Sequence, residues 1–166
     1  MVQLEYREEP REEDVLLVGR LLAATGFFTP EEQEIGVSLV KERLQYGPRC
    51  GYLFVFAEDG GNLAGYTCYG PIPGTLDGFD LYWIAVDPLL QNRSIGRRLL
   101  EFTEQRVLKQ EGKRLYVETS SITQYAPTRS FYEHNGFYLE GQLADYYAPA
   151  NDKMLYVKRL LSTPNS

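Results

Sequence analysis

The stretch from Leu81 to Thr119 restricts the fold more than any other part of this sequence. Leu81-Tyr82-Trp83-Ile84-Ala85-Val86 is a near-continuous apolar run stopped by Asp87-Pro88, the pattern of a strand covered on both faces. From Ile95 to Glu111 the apolar residues move to helical spacing: Ile95, Leu99 and Phe102 form one stripe, with Leu100, Thr103 and Val107 beside it. Gly112 stands where a left-handed C-terminal cap is expected, and Leu115-Tyr116-Val117-Glu118-Thr119 alternates as a second strand. A strand, a helix and a strand in this order call for a parallel pair joined by a right-handed crossover.

The flanking segments make the sheet mixed and the class α/β. Residues 2 to 7 read as a first strand. After Pro10, Val15, Val18 and Leu22 fall at the spacing of a first helix, which Gly26-Phe27-Phe28-Thr29-Pro30 interrupts. Thr29, then Pro30, Glu31 and Glu32, supply the cap, proline and acidic first turn of a second helix running to about Tyr46. Tyr52 to Ala57 and Leu63 to Tyr69 are strand-like about the hairpin turn Asp59-Gly60-Gly61-Asn62, and Gly70 to Gly78 is a loop rich in proline and glycine. A helix over Pro127 to His134 closes at Asn135-Gly136, and two strands follow, Phe137 to Leu143 and Met154 to Leu160. No repeat, low-complexity tract or linker separates halves with cores of their own, so residues 1–166 are expected to form one domain.

Charge narrows the partners. Lys+Arg 17 against Asp+Glu 23 leaves a net charge of -6, so the wide basic surface that tracks nucleic-acid phosphates or anionic lipid is not expected. A cationic or neutral partner fits the field better. Cys50 and Cys68 are too few for a disulfide framework and lack zinc spacing, so no metal is expected. The acidic start lacks the form of a secretory signal, and the apolar stretch from Val15 to Phe28 is broken by Arg20 and falls short of the roughly 20 residues that span a bilayer. A soluble, cytoplasmic protein with no membrane partner is the expectation.

The chemistry concentrates in Val86-Asp87-Pro88-Leu89-Leu90-Gln91-Asn92-Arg93-Ser94-Ile95-Gly96-Arg97-Arg98, a strand end, a short loop and a helix start. Helix N-termini offer unpaired backbone N–H groups and a partial positive charge. Small residues at Ser94 and Gly96 would let an anion approach them, with Arg93, Arg97 and Arg98 adding charge. The bland alternative is a loop carrying ordinary surface arginines.

At this point the sequence resembles the GCN5-related N-acetyltransferases (GNAT). Gln91-Asn92-Arg93-Ser94-Ile95-Gly96 is similar to the family's Gln/Arg-x-x-Gly-x-Gly/Ala motif after a strand ending in Val-Asp-Pro, with Ser94 at the first glycine. Ser130-Phe131-Tyr132-Glu133-His134-Asn135-Gly136-Phe137 resembles a second signature, A-x-x-F/L-Y-E-x-x-G-F, in the right order. The likeness covers roughly residues 50 to 160. It implies a mixed, mostly antiparallel sheet flanked by helices, with a central parallel pair that splays to admit acetyl-CoA as cosubstrate. The pantetheine arm would pair with backbone at Ile84, Ala85 and Val86, and the pyrophosphate would meet the N–H groups of Asn92, Arg93, Ser94, Ile95, Gly96 and Arg97 beside Gln91. Ser94 suits that loop if its backbone stays in a conformation open to a residue with a Cβ. Tyr125 replaces an asparagine common seven residues before the family tyrosine.

The resemblance also implies acetyl transfer to a primary amine by direct attack through a tetrahedral intermediate. Tyr132 is the expected general acid toward the departing thiolate, since a phenol remains protonated at neutral pH; a half-buried core tyrosine is the competing reading. Glu118, near the end of its strand, is the expected base, with a solvated sheet glutamate as the alternative. His134, two residues past Tyr132, reads as a surface or capping residue, and Cys68 as a buried strand cysteine rather than a nucleophile. The acceptor would enter beside the first two helices and the last strands, making Phe27, Phe28, Tyr146 and Tyr147 lining candidates and Asp145 and Asp152 sources of negative charge. The stretch Ala144 to Met154 is locally similar to the end of bacterial ribosomal-protein N-terminal acetyltransferases. Small-molecule amines and peptide N-termini both suit such a mouth, and a homodimer through the aromatic C-terminal strands stays open. A CoA-binding module without turnover and an interaction domain without cofactor are the alternative readings.

Overall fold

A computed structural model describes residues 3–161. Its elements are β1 (Leu4–Arg7), α1 (Asp14–Ala24), α2 (Pro30–Tyr46), β2 (Leu53–Asp59), β3 (Asn62–Pro71), β4 (Gly78–Val86), α3 (Ile95–Lys109), β5 (Arg114–Ser120), α4 (Ala126–His134), β6 (Tyr138–Ala148) and β7 (Asn151–Arg159). The strands form one seven-stranded sheet in the order β1-β2-β3-β4-β5-β7-β6, with β4 and β5 parallel. This is the expected class; Val2, the expected first residue of β1, lies outside the described residues. None of the described helices is long and apolar enough to cross a membrane, and no group of three or more His, Cys, Asp or Glu among the described residues could hold a metal ion.

The chain divides into two compact units, residues up to Gly70 with Tyr82–Thr103, and Pro71–Leu81 with the residues from Glu104 onward. The core of the first is built from Val18 and Leu22 of α1, Val40 of α2, and Phe54, Phe56 and Tyr66 of the β2–β3 hairpin, all at most 1% exposed. Gly60 and Gly61, with φ of 57° and 83°, make the left-handed hairpin turn expected of two glycines there. The capping box at Thr29 forms in full: Glu32 N–H donates to Thr29 Oγ1 at 3.2 Å, and Thr29 N–H donates to Glu32 Oε2 at 2.7 Å. The middle of α3 is held by the buried hydroxyls of Thr103 and Thr67, 2.7 Å apart, and by the stacking of Phe102 on Tyr6 at 4.5 Å. Buried Asp14 is compensated by Arg7, whose guanidinium reaches it at 2.8 Å, also reaches Glu58 at 2.8 Å, and lies over the ring of Phe56.

In the second unit, β5 is central. It pairs in parallel with the start of β4 (Gly78↔Arg114, Phe79↔Leu115, Asp80↔Tyr116) and antiparallel with β7 along its whole length. One face of this sheet is dry, with Phe79, Leu115, Val117 and Tyr156 at most 5% exposed. The other face, bearing Asp80, Tyr116, Glu118 and Lys153, is half-buried or exposed. β6 is the edge strand and leaves Tyr138, Leu139, Leu143, Tyr146 and Tyr147 exposed.

Three local expectations are corrected. First, β4 begins at Gly78 rather than Leu81, because backbone pairing with β5 draws in residues that the local composition assigns to a loop. Nor is β4 covered on both faces: Tyr82 is exposed, and Trp83, Ile84 and Val86 are half-buried. Second, Glu111 rather than Gly112 takes the left-handed position after α3, with φ of 62°. Glu111 N–H bonds Leu108 O at 3.0 Å and Gly112 N–H bonds Val107 O at 2.9 Å, a Schellman motif. Gly112 is needed for space instead, since a Cβ there would lie 2.4 Å from Val107 and 2.7 Å from Phe79. Third, the last two strands are longer than their apolar runs and meet in a tight hairpin at residues 149–150.

Candidate active site

The loop from Gln91 to Ser94 is exposed, and two of its residues with a Cβ are left-handed: Asn92 at φ 65° and Ser94 at φ 58°. Ser94 therefore takes a conformation that favours glycine, at a cost of order 1 kcal/mol. Arg98 N–H donates to Ser94 O at 3.0 Å, closing the first turn of α3. The N–H groups of Ile95, Gly96 and Arg97 precede that bond and lie outside the helical ladder. Arg93 is exposed, and Arg97 is tied to Glu101 at 3.0 Å. In the same unit, Ile84, Ala85 and Val86 run along β4. Phe28 packs on Trp83 at 5.0 Å and edge-on to Phe27 at 5.4 Å, so these two phenylalanines extend the core as well as lining its margin.

The remaining predicted residues belong to the second unit. Tyr132 is 4% exposed, with its ring against Phe131 and Phe137, and burial pushes its phenol well above the ordinary value. It stays protonated through the physiological range. Tyr125 ends a short 3-10 turn that precedes α4. His134 is exposed and its Nδ1 lies 2.7 Å from Ser130 O, the capping place expected of it. Glu118 is exposed and its carboxylate meets Lys153 Nζ at 2.7 Å; that ammonium also lies 4.7 Å from the centre of the Tyr146 ring. Burial pulls the Lys153 ammonium down, but its hydrogen bond to Glu118 and the charge of Glu118 outweigh this and the net shift is upward. Tyr147 is raised by burial first and then by Glu118.

Asp145 and Asp152 are occupied in building the hairpin. Asp152 Oδ1 accepts from Asp145 N–H at 2.9 Å, its Oδ2 accepts from Gln142 Nε2 at 2.6 Å, and Asp145 Oδ1 accepts from Ala150 N–H at 2.7 Å. These bonds hold Asp152 below the usual carboxylate range, Asp145 N–H contributing most. Asp145 itself is left-handed at φ 54°.

Two residues were not singled out by sequence. Asp80 lies on the open face, paired with Tyr116 and so on the side of Glu118 two residues along β5. Burial first, and then the charge of Glu118, push its carboxyl up to about 6, with Lys153 pulling the other way. Its signal in the sequence is a single acid inside the otherwise apolar stretch from Phe79 to Val86. Thr119 is 6% exposed, on the dry face, and its hydroxyl has no hydrogen-bond partner. Leaving such a group unpaired costs about 1–3 kcal/mol.

Known proteins resemble this chain in sequence and in fold. The acetyltransferase (GNAT) domain family matches residues 50–139. A solved GNAT-family structure from Desulfovibrio desulfuricans is 45% identical, with 96% of this chain and 100% of that chain covered and a TM-score of 0.94. The S-(2-succino)cysteine N-acetyltransferase of Bacillus subtilis is 28% identical over 92 residues; the match spans 54% of this chain and 56% of that protein's length. The ribosomal-protein-S18-alanine N-acetyltransferase of Escherichia coli shares the fold at 21% identity and a TM-score of 0.74, with 99% of both chains covered.

Proposed function

The chain belongs to the GNAT acetyltransferase family, and from that premise we propose that it moves the acetyl group of acetyl-CoA directly onto a primary amine of a small molecule or a peptide N-terminus. The observation that carries this reading is the left-handed Asn92 and Ser94 immediately before α3. Strain of this kind occurs at helix caps and tight turns and also clusters in loops that present their backbone to a ligand. The N–H groups of Ile95, Gly96 and Arg97, with Gln91, Asn92, Arg93 and Ser94, would hold the pyrophosphate. The half-buried backbone at Ile84 and Val86, with Ala85 between them, would pair with the pantetheine arm. Tyr125 takes the sequence position of an asparagine that the family commonly uses for the arm, and we assign it the same contact.

Acetyl-CoA, when bound, supplies an activated thioester. The chain's own residues then manage two protons. Asp80, poised near 6, takes a proton from the acceptor ammonium, which frees the lone pair. The freed amine attacks the thioester carbonyl, and as the tetrahedral intermediate expels the thiolate, Tyr132 Oη would give its proton to the sulfur and take back the second proton that the nitrogen sheds on becoming an amide. Glu118, the base expected from sequence, is engaged by Lys153; protonating it would forfeit that ion pair, so it serves better as a charge that draws the ammonium in. Calorimetric titration of the protein with acetyl-CoA, followed by thiol release with amines, tests the reading. Saturable binding with turnover supports it, binding without turnover leaves a CoA-binding module, and no binding removes it.

A further inference from the structure

The open face of the β4–β5–β7 sheet carries a cation where the sequence promised only acids. Lys153 is 15% exposed, held at 2.7 Å by Glu118 and capped by the ring of Tyr146. Asp80 and Glu118 lie on the same face; Lys153 pairs with Glu118 and pulls the Asp80 carboxyl down. Asp145 Oδ1 and both oxygens of Asp152 accept bonds from the hairpin backbone and Gln142. A lysine ammonium has three donors, and Glu118 does not exhaust them.

We propose that Lys153 is an anchor for a carboxylate on the acceptor, so that the substrate class is an amino acid or another amine bearing a carboxylate close to its nitrogen. A polyamine could meet Asp80 and Glu118, but it leaves the remaining donors of Lys153 without a partner and brings further positive charge close to them. A zwitterion satisfies both poles, its ammonium toward Asp80 and Glu118 and its carboxylate on Lys153. The side chain would then run along the exposed rings of Tyr146 and Tyr147. This assignment rests on the acetyltransferase reading above.

The test compares the twenty protein amino acids with their carboxamides and with spermidine, measured by thiol release from acetyl-CoA. At least one free acid is expected to exceed its amide tenfold or more in kcat/KM. In Lys153→Met that ratio falls toward one, mainly through KM, and Lys153→Arg retains most of it. Equal or faster use of amides or spermidine, or refusal of every free acid, overturns the assignment, as does a ratio that Lys153→Met leaves intact. Acetyl-CoA calorimetry on each protein separates these failures: if the wild type does not bind acetyl-CoA, the acetyltransferase reading fails, and if only a variant does not, that variant is misfolded and the acid-to-amide preference of the wild type decides.

Discussion

At the scale of single residues, the proposed division of proton transfer between Tyr132 and Asp80 rests on their different environments. Tyr132 is sealed among rings, so burial keeps its proton on. Replacing it by phenylalanine preserves that packing and is expected to move stability by less than about 1 kcal/mol while lowering kcat roughly a hundredfold or more. Acetyl-CoA affinity should persist. Unchanged turnover in Tyr132→Phe would remove the hydroxyl from the mechanism. Tyr132 was singled out in the sequence because Tyr-Glu-x-x-Gly-Phe is a local motif. Asp80 was not, because its meaning depends on a partner 36 positions away in sequence, Tyr116 on β5, and no local pattern reveals which strand will lie alongside. Glu118 was legible as a strand carboxylate, but its ion pair with Lys153 depends on the Ser120↔Lys153 register with β7.

At the scale of elements, the periodic segments were readable because each buries a face with a fixed period. α2 begins at Pro30 with Thr29 as its cap, as the sequence predicts. The ends of α3 were harder. Gly112 looked like the left-handed cap, yet its absent Cβ makes room for Val107 and Phe79, and Glu111 takes the left-handed position instead. Glu111→Gly should therefore stabilise the fold by about 0.5–1 kcal/mol, read as a higher denaturant midpoint at unchanged slope. At the other end of α3, Ser94→Gly relieves the same kind of strain. There the gain should also appear as tighter acetyl-CoA binding if the left-handed turn is what the ligand requires. A Ser94→Gly variant that binds more weakly would mean that the hydroxyl, not the backbone, matters. The β6–β7 hairpin escaped sequence reading for a related reason: its turn is made by two aspartates bonding to backbone N–H groups, and those same aspartates look like binding residues when seen only as charges.

At the scale of the whole molecule, the upward shift that suits Asp80 to the proposed base role weakens the fold at neutral pH. Its proton affinity is higher in the folded chain, about 6 against an ordinary 3.8, so the folded state binds more protons than the unfolded one between those values. The stabilisation from this site is complete below the unfolded value and is lost as pH rises through about 6. Because the side chain is only half-buried, solvent screening reduces the cost at neutral pH to roughly 1 kcal/mol. Asp80→Asn should thus raise the midpoint of thermal unfolding at pH 7.5 by about 2–4 °C and change it little at pH 4. In the same variant kcat/KM should fall at neutral pH, and the wild-type limb that drops about tenfold per pH unit below 6 should disappear. Stabilisation that is equal at both pH values would assign the effect to packing. Retention of the acidic limb would move the base elsewhere, with Glu118 the next carboxylate on that face.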